Sequence, residues 1–358
     1  MTSTIHVGHG DAAYRVAVGS GILDEVAGSL DGCETAVVVH SPSVADIAAD
    51  VAAALSARGM RARGVTVPDG ESAKDLEVVT ALWGELAAHG VTRTDAVVAV
   101  GGGAVTDVAG FAGATWLRGV RVVHVPTTLL GMVDASIGGK TAINTPAGKN
   151  LVGAFHDPAG VVVDLDLLAT LPRADLAAGL AEVVKAGFIA DPVILDRIEA
   201  DPVALLAGEP TALRDVVERA IRVKADVVGG DPTERGRREI LNYGHTLAHA
   251  IEKTAGFGVW RHGDAVSVGL CFAATVARLV GTLDTSTAAR HADLLSSLGL
   301  PTRYDGDWAP LRAAMTVDKK SRGARLRFVV LEGLGRPVVL DDPPEQILEA
   351  AFAEVTAS

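Results

Sequence analysis

The stretch Asp95–Phe111, "DAVVAVGGGAVTDVAGF", decides the fold. Its first half is a continuous apolar run rich in valine, which is typical of a strand buried on both faces of a parallel sheet. Gly101 to Gly103 follow this run, and a helical pattern begins behind them. Glycines at the end of a strand let backbone N–H groups approach a phosphate at the positive end of the next helix. The stretch therefore indicates a nucleotide-binding α/β domain, although three glycines alone are equally compatible with a tight turn.

The same alternation of strand and helix patterns surrounds this stretch. Further buried strands are predicted at Tyr14–Gly19, Thr35–His40, 63–68, 121–128 and from Gly160, and helices at Ser43–Gly59, with Ser43 as N-cap, and at 73–90. After Pro172 the patterns become mainly helical, apart from a hairpin at Leu326–Leu340 with Gly333 and Gly335 in its turn. We therefore predict an α/β protein with a Rossmann-like parallel-sheet domain at residues 1–172 and a mainly α-helical domain at residues 173–358.

Composition excludes several classes of protein. The 358-residue chain has a net charge of −12, which argues against a nucleic-acid surface because phosphate backbones require a broad basic face. Cys33 and Cys271 lie far apart and neither belongs to a CxxC pair, as expected for reduced cytosolic thiols. The N-terminus lacks the pattern of a signal peptide, and no apolar run reaches the ~18 residues of a membrane span. We expect a cytoplasmic protein without a membrane or nucleic-acid partner.

Two further polar segments follow predicted strands. "PDGESAK" (Pro68–Lys74) comes after one strand and "PTT" (Pro126–Thr128) after another. The carboxyl ends of parallel strands meet at one edge of a sheet, where ligands bind. Together with the three glycines, these loops favour a dinucleotide site.

Histidines and a carboxylate suggest a metal site. His245 and His249 lie four residues apart in "NYGHTLAHAIE", on one face of a predicted helix, and His262 follows in "RHGDAV". Glu182 lies between apolar residues on another predicted helix. Two histidines and one carboxylate with an open position form a catalytic zinc pattern, and the absence of HExxH disfavours a zincin protease. The spacing does not select two of the three histidines, and a pair of solvated or capped histidines remains an alternative.

Cations accompany these segments. Any one of them is compatible with an ordinary surface charge, but together, beside a nucleotide site and a metal, they suggest an anionic small substrate such as a phosphorylated or carboxylated sugar. They are Arg118, Lys140, Lys149, Lys185, Lys224, Arg238, Lys319 and Lys320.

Seven motifs in order resemble the 3-dehydroquinate synthase family: "PDGESAK", "GGGAVTDVAGFAGATWLRG", "VPTTLLGMVDASIGGKTAINTPAGKNLVGAF", "AEVVKAGFI", "LNYGHTLAHAIE", "RHGDAVSVG" and "DKK". The resemblance runs from about Tyr14 to about Leu340. It implies a homodimer with its active site in the cleft between an NAD domain and a metal domain. The implied reaction converts 3-deoxy-D-arabino-heptulosonate 7-phosphate into 3-dehydroquinate and phosphate in the shikimate pathway, with NAD regenerated in each turnover.

By matching position, the resemblance implies Zn²⁺ or Co²⁺ ligands at Glu182, His245 and His262, with His249 in the proton-handling network. The implied NAD contacts are Asp69, Gly70, Glu71, Ser72, Ala73, Lys74, Gly103, Ala104, Val105, Thr106, Asp107, Thr127, Thr128, Lys140, Lys149, Leu167, Leu168, Ala169 and Thr170. The implied substrate contacts are Asp134, Lys140, Lys149, Asn150, Lys185, Lys224, Arg238, Asn242 and one of Lys319 and Lys320, while Arg118 would reach the phosphate across the dimer. Lys140 and Lys149 would lie on loops between cofactor and substrate.

Three alternatives differ in what they require. Related cyclases act on an amino-sugar analogue, sedoheptulose 7-phosphate or glucose 6-phosphate, whereas Lys185, Arg238 and Asn242 together fit a substrate with a carboxylate. A metal-dependent polyol dehydrogenase of similar architecture would release NADH and would not need so many lysines. A non-enzymatic nucleotide-binding module would not need the glutamate and histidine set.

Overall fold

The chain folds into two compact units. The computed structural model describes residues 2–10, 13–256, 258–322 and 326–356, with the backbone alone for residues 316–322. One unit contains Met1–Leu171 together with Lys224–Thr233, and the other contains Pro172–Val223 and Glu234–Ser358. The chain thus returns to the first unit for a short segment, which no sequence pattern indicates.

The first unit is built on a seven-stranded sheet. In chain order its elements are β1 (Ser3–Val7), β2 (Tyr14–Gly19), β3 (Thr35–His40), α1 (Ala45–Ala57), β4 (Arg61–Thr66), α2 (Leu76–Ala88), β5 (Ala96–Gly101), α3 (Gly103–Thr115), β6 (Arg121–Pro126), β7 (Lys140–Thr145), β8 (Gly148–Phe155) and β9 (Gly160–Asp164). The sheet order is β1-β2-β9-β6-β5-β3-β4, and every pair is parallel except β1 with β2. The parallel α/β class predicted from the sequence is confirmed, with β1 as an additional strand.

The valine-rich runs lie where a parallel sheet requires them. Every residue of β3 and of β5 is buried, and Val97 of β5 pairs with Val37 of β3 and with Val122 of β6. Helix α3 lies close to the sheet, because a Cβ on Gly113 would come within 2.4 Å of a Val122 methyl group. The helix that follows the three glycines is therefore fixed against the centre of the sheet.

The topology places a crevice beside the glycines. From β3 the chain moves outward through α1 to the edge strand β4, and then α2 brings it back across β3 to β5. The loops that leave the carboxyl ends of the neighbouring strands β3 and β5 therefore run in opposite directions. Open α/β sheets bind ligands in the crevice that forms where the direction of the connections reverses in this way.

The segment with Lys140 and Lys149 is a β-hairpin, so the expectation that these lysines lie on loops was wrong. Lys140 opens β7 and pairs with Phe155, while Lys149 lies in β8. The period-two burial of Thr141 and Ile143 is the strand signal that the flanking glycines obscured.

The predicted N-cap of the first helix was also wrong. Helix α1 begins at Ala45, and Ser43 lies in the preceding helical turn. The Ser43 hydroxyl instead donates a 2.6 Å hydrogen bond to Asp69 Oδ1. Because Pro42–Val44 already forms a helical turn, Ser43 does not occupy the position before the first residue of α1.

The second unit is mainly helical, as predicted. It contains α4 (Arg173–Ile189), α5 (Val193–Ala200), α6 (Pro202–Leu206), most of α7 (Pro210–Gly230), α8 (His245–Ala255), α9 (His262–Leu279), α10 (Thr285–Ser297), α11 (Trp308–Arg322), the hairpin strands β10 (Arg327–Leu331) and β11 (Pro337–Asp341), and α12 (Glu345–Glu354). Among the described residues, no helix is both long enough and apolar enough to cross a membrane.

Glycines let three helices of this unit approach closely. A Cβ on Gly263 of α9 would lie 1.8 Å from the Ala178 carbonyl oxygen of α4. A Cβ on Gly269 would lie 2.0 Å from the carbonyl oxygen of Gly244, the residue before α8. Neither position tolerates a side chain. The amino-terminal ends of α8 and α9 are therefore held close to their neighbours, α9 directly against α4.

Candidate metal centre and nucleotide loops

Glu182, His245 and His262 come together in the second unit. Among the described residues they form the one group of carboxylate, histidine or cysteine side chains with the geometry for a metal, and their ligand atoms all lie within 4.8 Å of one another. The Nε2 atoms of His245 and His262 lie 3.4 Å and 3.7 Å from Glu182 Oε1. Ligand atoms about 2.1 Å from a tetrahedral Zn²⁺ lie about 3.4 Å apart, so the spacing matches such a site.

The Glu182 carboxylate has an unsatisfied oxygen. Oε1 is buried and makes no hydrogen bond within the described part of the chain. A buried carboxylate oxygen without a partner is unfavourable unless a cation satisfies it. Together with the two nearby imidazole nitrogens, this oxygen fits a divalent metal.

Hydrogen bonds at the other ring nitrogens orient both histidines. His245 Nδ1 lies 3.1 Å from the Tyr243 carbonyl oxygen, and His262 Nδ1 lies 3.2 Å from Glu252 Oε2. A carbonyl or carboxylate oxygen only accepts, so each Nδ1 carries the proton and each Nε2 is left as a ligand. Metal-binding histidines are typically held in this way by a carbonyl or carboxylate.

The electrostatics of the group favour a cation. Burial would raise the pKa of Glu182, but the Lys185 ammonium and the nearby His245 hold this pKa well below its ordinary value. Burial would lower the pKa of His262, but the neighbouring carboxylates of Glu182 and Glu252 raise it to about 10. Burial, followed by Lys185, lowers the pKa of His245. The carboxylates that would hold a proton on His262 would equally attract a divalent metal ion.

The geometry separates the three histidines that the spacing left open. The His249 ring centroid lies 5.4 Å from that of His245 and 6.2 Å from that of His262, outside the converging group but beside it. Sequence reasoning missed Glu252, the partner of His262. The available signal was its position two helical turns after His245 on the same face.

The other candidates of the second unit lie in three places. The Lys185 ammonium contacts Glu182 Oε2, and both side chains are buried. Arg238 is buried in the short helical segment Arg237–Asn242, and Asn242 Nδ2 donates to Glu234 Oε1 at 3.0 Å. Lys319 and Lys320 lie in α11, and their side chains are outside the described residues.

In the first unit the glycines pack at the start of α3. A Cβ on Gly101 would lie 2.7 Å from a Val105 methyl group, and one on Gly103 would lie 3.1 Å from Ala135 Cβ. Side chains at these two positions would collide with the first turn of α3 or with the turn at Ala135, so this packing requires glycine. A phosphate placed there would meet the positive end of α3.

The Asp69–Lys74 segment contacts the same helix. Gly70–Lys74 forms a helical turn after β4, and the buried Lys74 ammonium contacts both Asp107 Oδ2 of α3 and Asn150 Oδ1 of β8. Burial raises the pKa of Asp107 to about 6, although the Lys74 ammonium opposes this shift. The Lys74 ammonium therefore connects the two segments that the resemblance assigns to NAD, Asp69–Lys74 and Gly103–Asp107, with Asn150, which it assigns to the substrate.

The hairpin β7–β8 is tied to this turn by a residue that sequence reasoning missed. Asn144 Nδ2 donates to Glu71 Oε1 at 2.7 Å, and Asn144 Oδ1 accepts from the Asn150 backbone N–H at 3.0 Å. Lys149 Nζ lies 3.9 Å from the same Glu71 oxygen. Asn150 has a left-handed backbone with φ of +57°. The amide of Asn144 thus supports the unusual backbone of Asn150.

Asp134 and Lys224 also meet within the first unit. Asp134 lies in the helical turn Gly131–Ala135, and its carboxylate contacts the Lys224 ammonium. Lys224 belongs to the short segment that returns to this unit. This contact explains how a residue distant in sequence joins the loops at the sheet edge.

The remaining candidates are more dispersed. Thr127 donates its backbone N–H to Gly101 at 2.9 Å, and Thr128 Oγ accepts from Gly131, so both lie beside the glycine loop. The segment containing Leu167, Leu168, Ala169 and Thr170 is a helical turn after β9, in which both leucine side chains are buried. Arg118 is exposed and has a left-handed backbone with φ of +68°.

Comparison with known proteins agrees with this arrangement. The family model for the 3-dehydroquinate synthase N-terminal region matches residues 64–178, and the model for the C-terminal region matches residues 179–321. The chain is 56% identical over 349 residues to the 3-dehydroquinate synthase of Mycolicibacterium vanbaalenii, covering 97% of each chain.

Two solved structures are similar over almost their whole length. ValA, the 2-epi-5-epi-valiolone synthase of Streptomyces hygroscopicus, contains NAD⁺ and Zn²⁺ and matches with a TM-score of 0.89 and 28% identity, over 97% of this chain and 98% of its own. A 2-deoxy-scyllo-inosose synthase complexed with carbaglucose-6-phosphate, NAD⁺ and Co²⁺ matches with the same TM-score and identity, over 98% and 99%. The family models and the identity to a curated relative lead to one conclusion: the chain belongs to the 3-dehydroquinate synthase family.

Proposed function

We propose that this enzyme converts 3-deoxy-D-arabino-heptulosonate 7-phosphate into 3-dehydroquinate and phosphate, with NAD and Zn²⁺ or Co²⁺ as cofactors, in the shikimate pathway. The observation that carries the proposal is the convergence of Glu182 Oε1, His245 Nε2 and His262 Nε2 in a family whose curated relatives bear this name. The similar cyclase structures with NAD⁺ and Zn²⁺ or Co²⁺ support the choice of cofactors.

In the second unit, Glu182, His245 and His262 would hold the metal. Lys185 keeps the Glu182 carboxylate ionised, so that this ligand is available without losing a proton first. His249 would handle protons beside the ligand set. The charged and hydroxyl groups of the substrate would be bound by Lys185, Arg238, Asn242 and one of Lys319 and Lys320.

In the first unit, the loops at the sheet edge would bind NAD. The backbone of Gly103–Asp107 would face the pyrophosphate, with the turn at Asp69–Lys74, the pair Thr127 and Thr128, and the segment at Leu167–Thr170 around the rest of the cofactor. The substrate would be bound in this unit by Lys140, Lys149, Asn150, Lys224 and Asp134. Lys140 and Lys149 would contact NAD as well. Residues 1–172 would then form the NAD domain and residues 173–358 the metal- and substrate-binding domain.

The proposed conversion is redox-neutral overall. When bound, the metal would polarise a substrate hydroxyl and NAD would accept and return a hydride. The substrate is oxidised at C5, which acidifies the C6 proton and lets phosphate leave by elimination. The C5 carbonyl would then be reduced again, the sugar ring would open to release the C2 ketone, and an intramolecular aldol step would close the carbon ring. The chain's own contribution is to hold the substrate by its phosphate and carboxylate so that the reacting carbons stay close.

The test uses metal-free protein, a trace of NAD and the seven-carbon substrate. Phosphate release and product mass are followed with and without zinc. We expect zinc-dependent phosphate release, a product with the mass of 3-dehydroquinate and no net NADH. NADH that accumulates without phosphate release would instead identify a polyol dehydrogenase.

The similar cyclase structures make two other substrates the necessary comparison. Sedoheptulose 7-phosphate and glucose 6-phosphate lack the carboxylate that Lys185, Arg238 and Asn242 would bind. We expect both to be turned over far more slowly. Faster turnover of either would move the chain to a sister cyclase.

We further propose a cytoplasmic homodimer in which Arg118 reaches the substrate phosphate of the partner subunit. Leu151 and Phe155 of β8 are exposed large apolar side chains on one face of the hairpin, which favours a covered face. Light scattering after size-exclusion chromatography should give the mass of two chains. A monomer at assay concentration would contradict the proposal.

A further inference from the structure

Another buried histidine contacts two of the segments that carry the metal ligands. His291 of α10 is fully buried, and its ring stacks on Phe188 with centroids 3.4 Å apart and planes 10° apart. Its Nε2 lies 2.8 Å from the Tyr243 hydroxyl. Neither the metal ligands nor the proposed substrate contacts include this residue.

The hydrogen bonds define which atoms of this pair donate. His291 Nδ1 lies 2.9 Å from the Thr287 carbonyl oxygen, so Nδ1 carries the proton and Nε2 accepts from the Tyr243 hydroxyl. Burial lowers the pKa of His291 to about 3. The histidine is therefore neutral in the physiological range, which agrees with its role as the acceptor for the Tyr243 hydroxyl.

The contacts of His291 lead to two of the segments that carry metal ligands. Phe188 lies on α4, the helix of Glu182, and Tyr243 lies two residues before His245. The Tyr243 carbonyl oxygen is the group that accepts the proton of His245 Nδ1. One buried ring thus touches α4 and holds the residue that fixes the tautomer of His245.

We propose that His291 is a positioning residue of the metal centre: through the Tyr243 hydroxyl it fixes the Tyr243 carbonyl oxygen, which presents His245 Nε2 to the metal. This inference rests on the proposed metal site and goes beyond it, since it concerns the residue that holds Tyr243, whose carbonyl oxygen orients the ligand His245. Groups behind metal ligands commonly change metal affinity by 10–100-fold when they are replaced.

The alternative is that the pair only satisfies two buried polar groups. The two roles predict different behaviour for the double variant. Removing one partner leaves a buried polar atom unsatisfied, whereas replacing both by apolar groups is nearly neutral for stability. A purely structural pair should therefore recover both stability and metal affinity in the double variant.

The experiment measures zinc dissociation constants by chelator competition and melting temperatures of the metal-free proteins. The variants are Tyr243→Phe, His291→Gln and the double variant Tyr243→Phe/His291→Leu. Thr282→Val is the matched control, because it removes hydroxyl bonds to the Ala277 and Leu331 carbonyl oxygens at the carboxyl end of α9. That helix begins with the ligand His262 and spans about 27 Å over its 18 residues.

We expect Tyr243→Phe and the double variant to bind zinc about tenfold more weakly, while the double variant melts closer to wild type than Tyr243→Phe does. His291→Gln keeps an acceptor for the tyrosine and should retain most of the affinity. The Co²⁺-loaded double variant should also show a shifted visible absorption spectrum, because the geometry of a ligand has changed. The control should lose stability without losing zinc.

Wild-type zinc affinity in the double variant would overturn the inference and leave the proposed function standing. Zinc loss in Thr282→Val equal to that in Tyr243→Phe would also overturn it, because general destabilisation would then explain both. A wild-type protein that binds neither zinc nor cobalt would overturn the proposed function itself, and the inference with it.

Discussion

Replacing Glu182 by glutamine tests the metal centre with the smallest change in shape. The substitution removes the anionic ligand and leaves the buried Lys185 ammonium without its carboxylate. Two unit charges about 4 Å apart interact by about 4 kcal/mol at an effective dielectric constant of about 20. Breaking a buried ion pair by removing one partner costs about 3–5 kcal/mol, which is of the same size.

We therefore expect two separable effects of Glu182→Gln. The metal-free variant should melt roughly 6–20 °C below the metal-free wild type, from the loss of the ion pair in a unit of this size. Zinc binding should weaken by at least about tenfold, and turnover should be lost. Differential scanning fluorimetry, zinc content after gel filtration and phosphate release measure the three quantities.

Asp215→Asn is the matched control. Asp215 pairs with Arg197 and Arg219, but its side chain is 41% exposed, whereas that of Glu182 is 2% exposed. An exposed pair contributes about 0–1 kcal/mol, so this variant should melt near wild type and retain zinc. If Glu182→Gln keeps zinc but melts early, Glu182 is paired with Lys185 and is not a ligand. If it changes neither quantity, the reasoning about this buried group is refuted.

Three further predictions concern the first unit. Lys140→Ala should abolish turnover yet shift stability by less than about 0.5 kcal/mol, because Lys140 is exposed; a fully active variant would contradict its role. Gly101→Ala should weaken NAD binding in a fluorescence titration and cost about 1–3 kcal/mol, because its Cβ would lie 2.7 Å from a Val105 methyl group; unchanged affinity would argue against the glycine loop. Burial, followed by the charge of His156, lowers the pKa of His124 from 6.5 to about 4, so the unfolded chain binds the extra proton first. Stability should therefore fall by up to about 3 kcal/mol between pH 6.5 and pH 4, and a His124→Gln variant that keeps the full pH dependence in denaturant titrations would refute this cause.

Local patterns in the sequence were sufficient for the class of fold and the kinds of chemistry. The valine-rich runs of β3 and β5 predict buried parallel strands because such strands have no polar face. The glycines after β5 predict a ligand at the carboxyl edge of the sheet. All three residues of the metal group, Glu182, His245 and His262, are among the candidates that the sequence offers. The hairpin β7–β8 was missed because its glycine-rich flanks resemble a loop, and its alternating burial depends on packing against the rest of the unit.

Only the tertiary structure decided which side chains meet. Glu182, His245 and His262 lie on three different helices, so their positions in the sequence do not determine how far apart their side chains are. For the same reason the sequence spacing could not choose two ligands among the three histidines. The choice follows from the close approach of α9 to α4 at Gly263 and to the start of α8 at Gly269, where a Cβ would collide with a carbonyl oxygen. The roles of Glu252 and Asn144, and the His291–Tyr243 pair behind His245, likewise depend on contacts between distant segments, because a buried polar group must find its partner wherever the fold brings one.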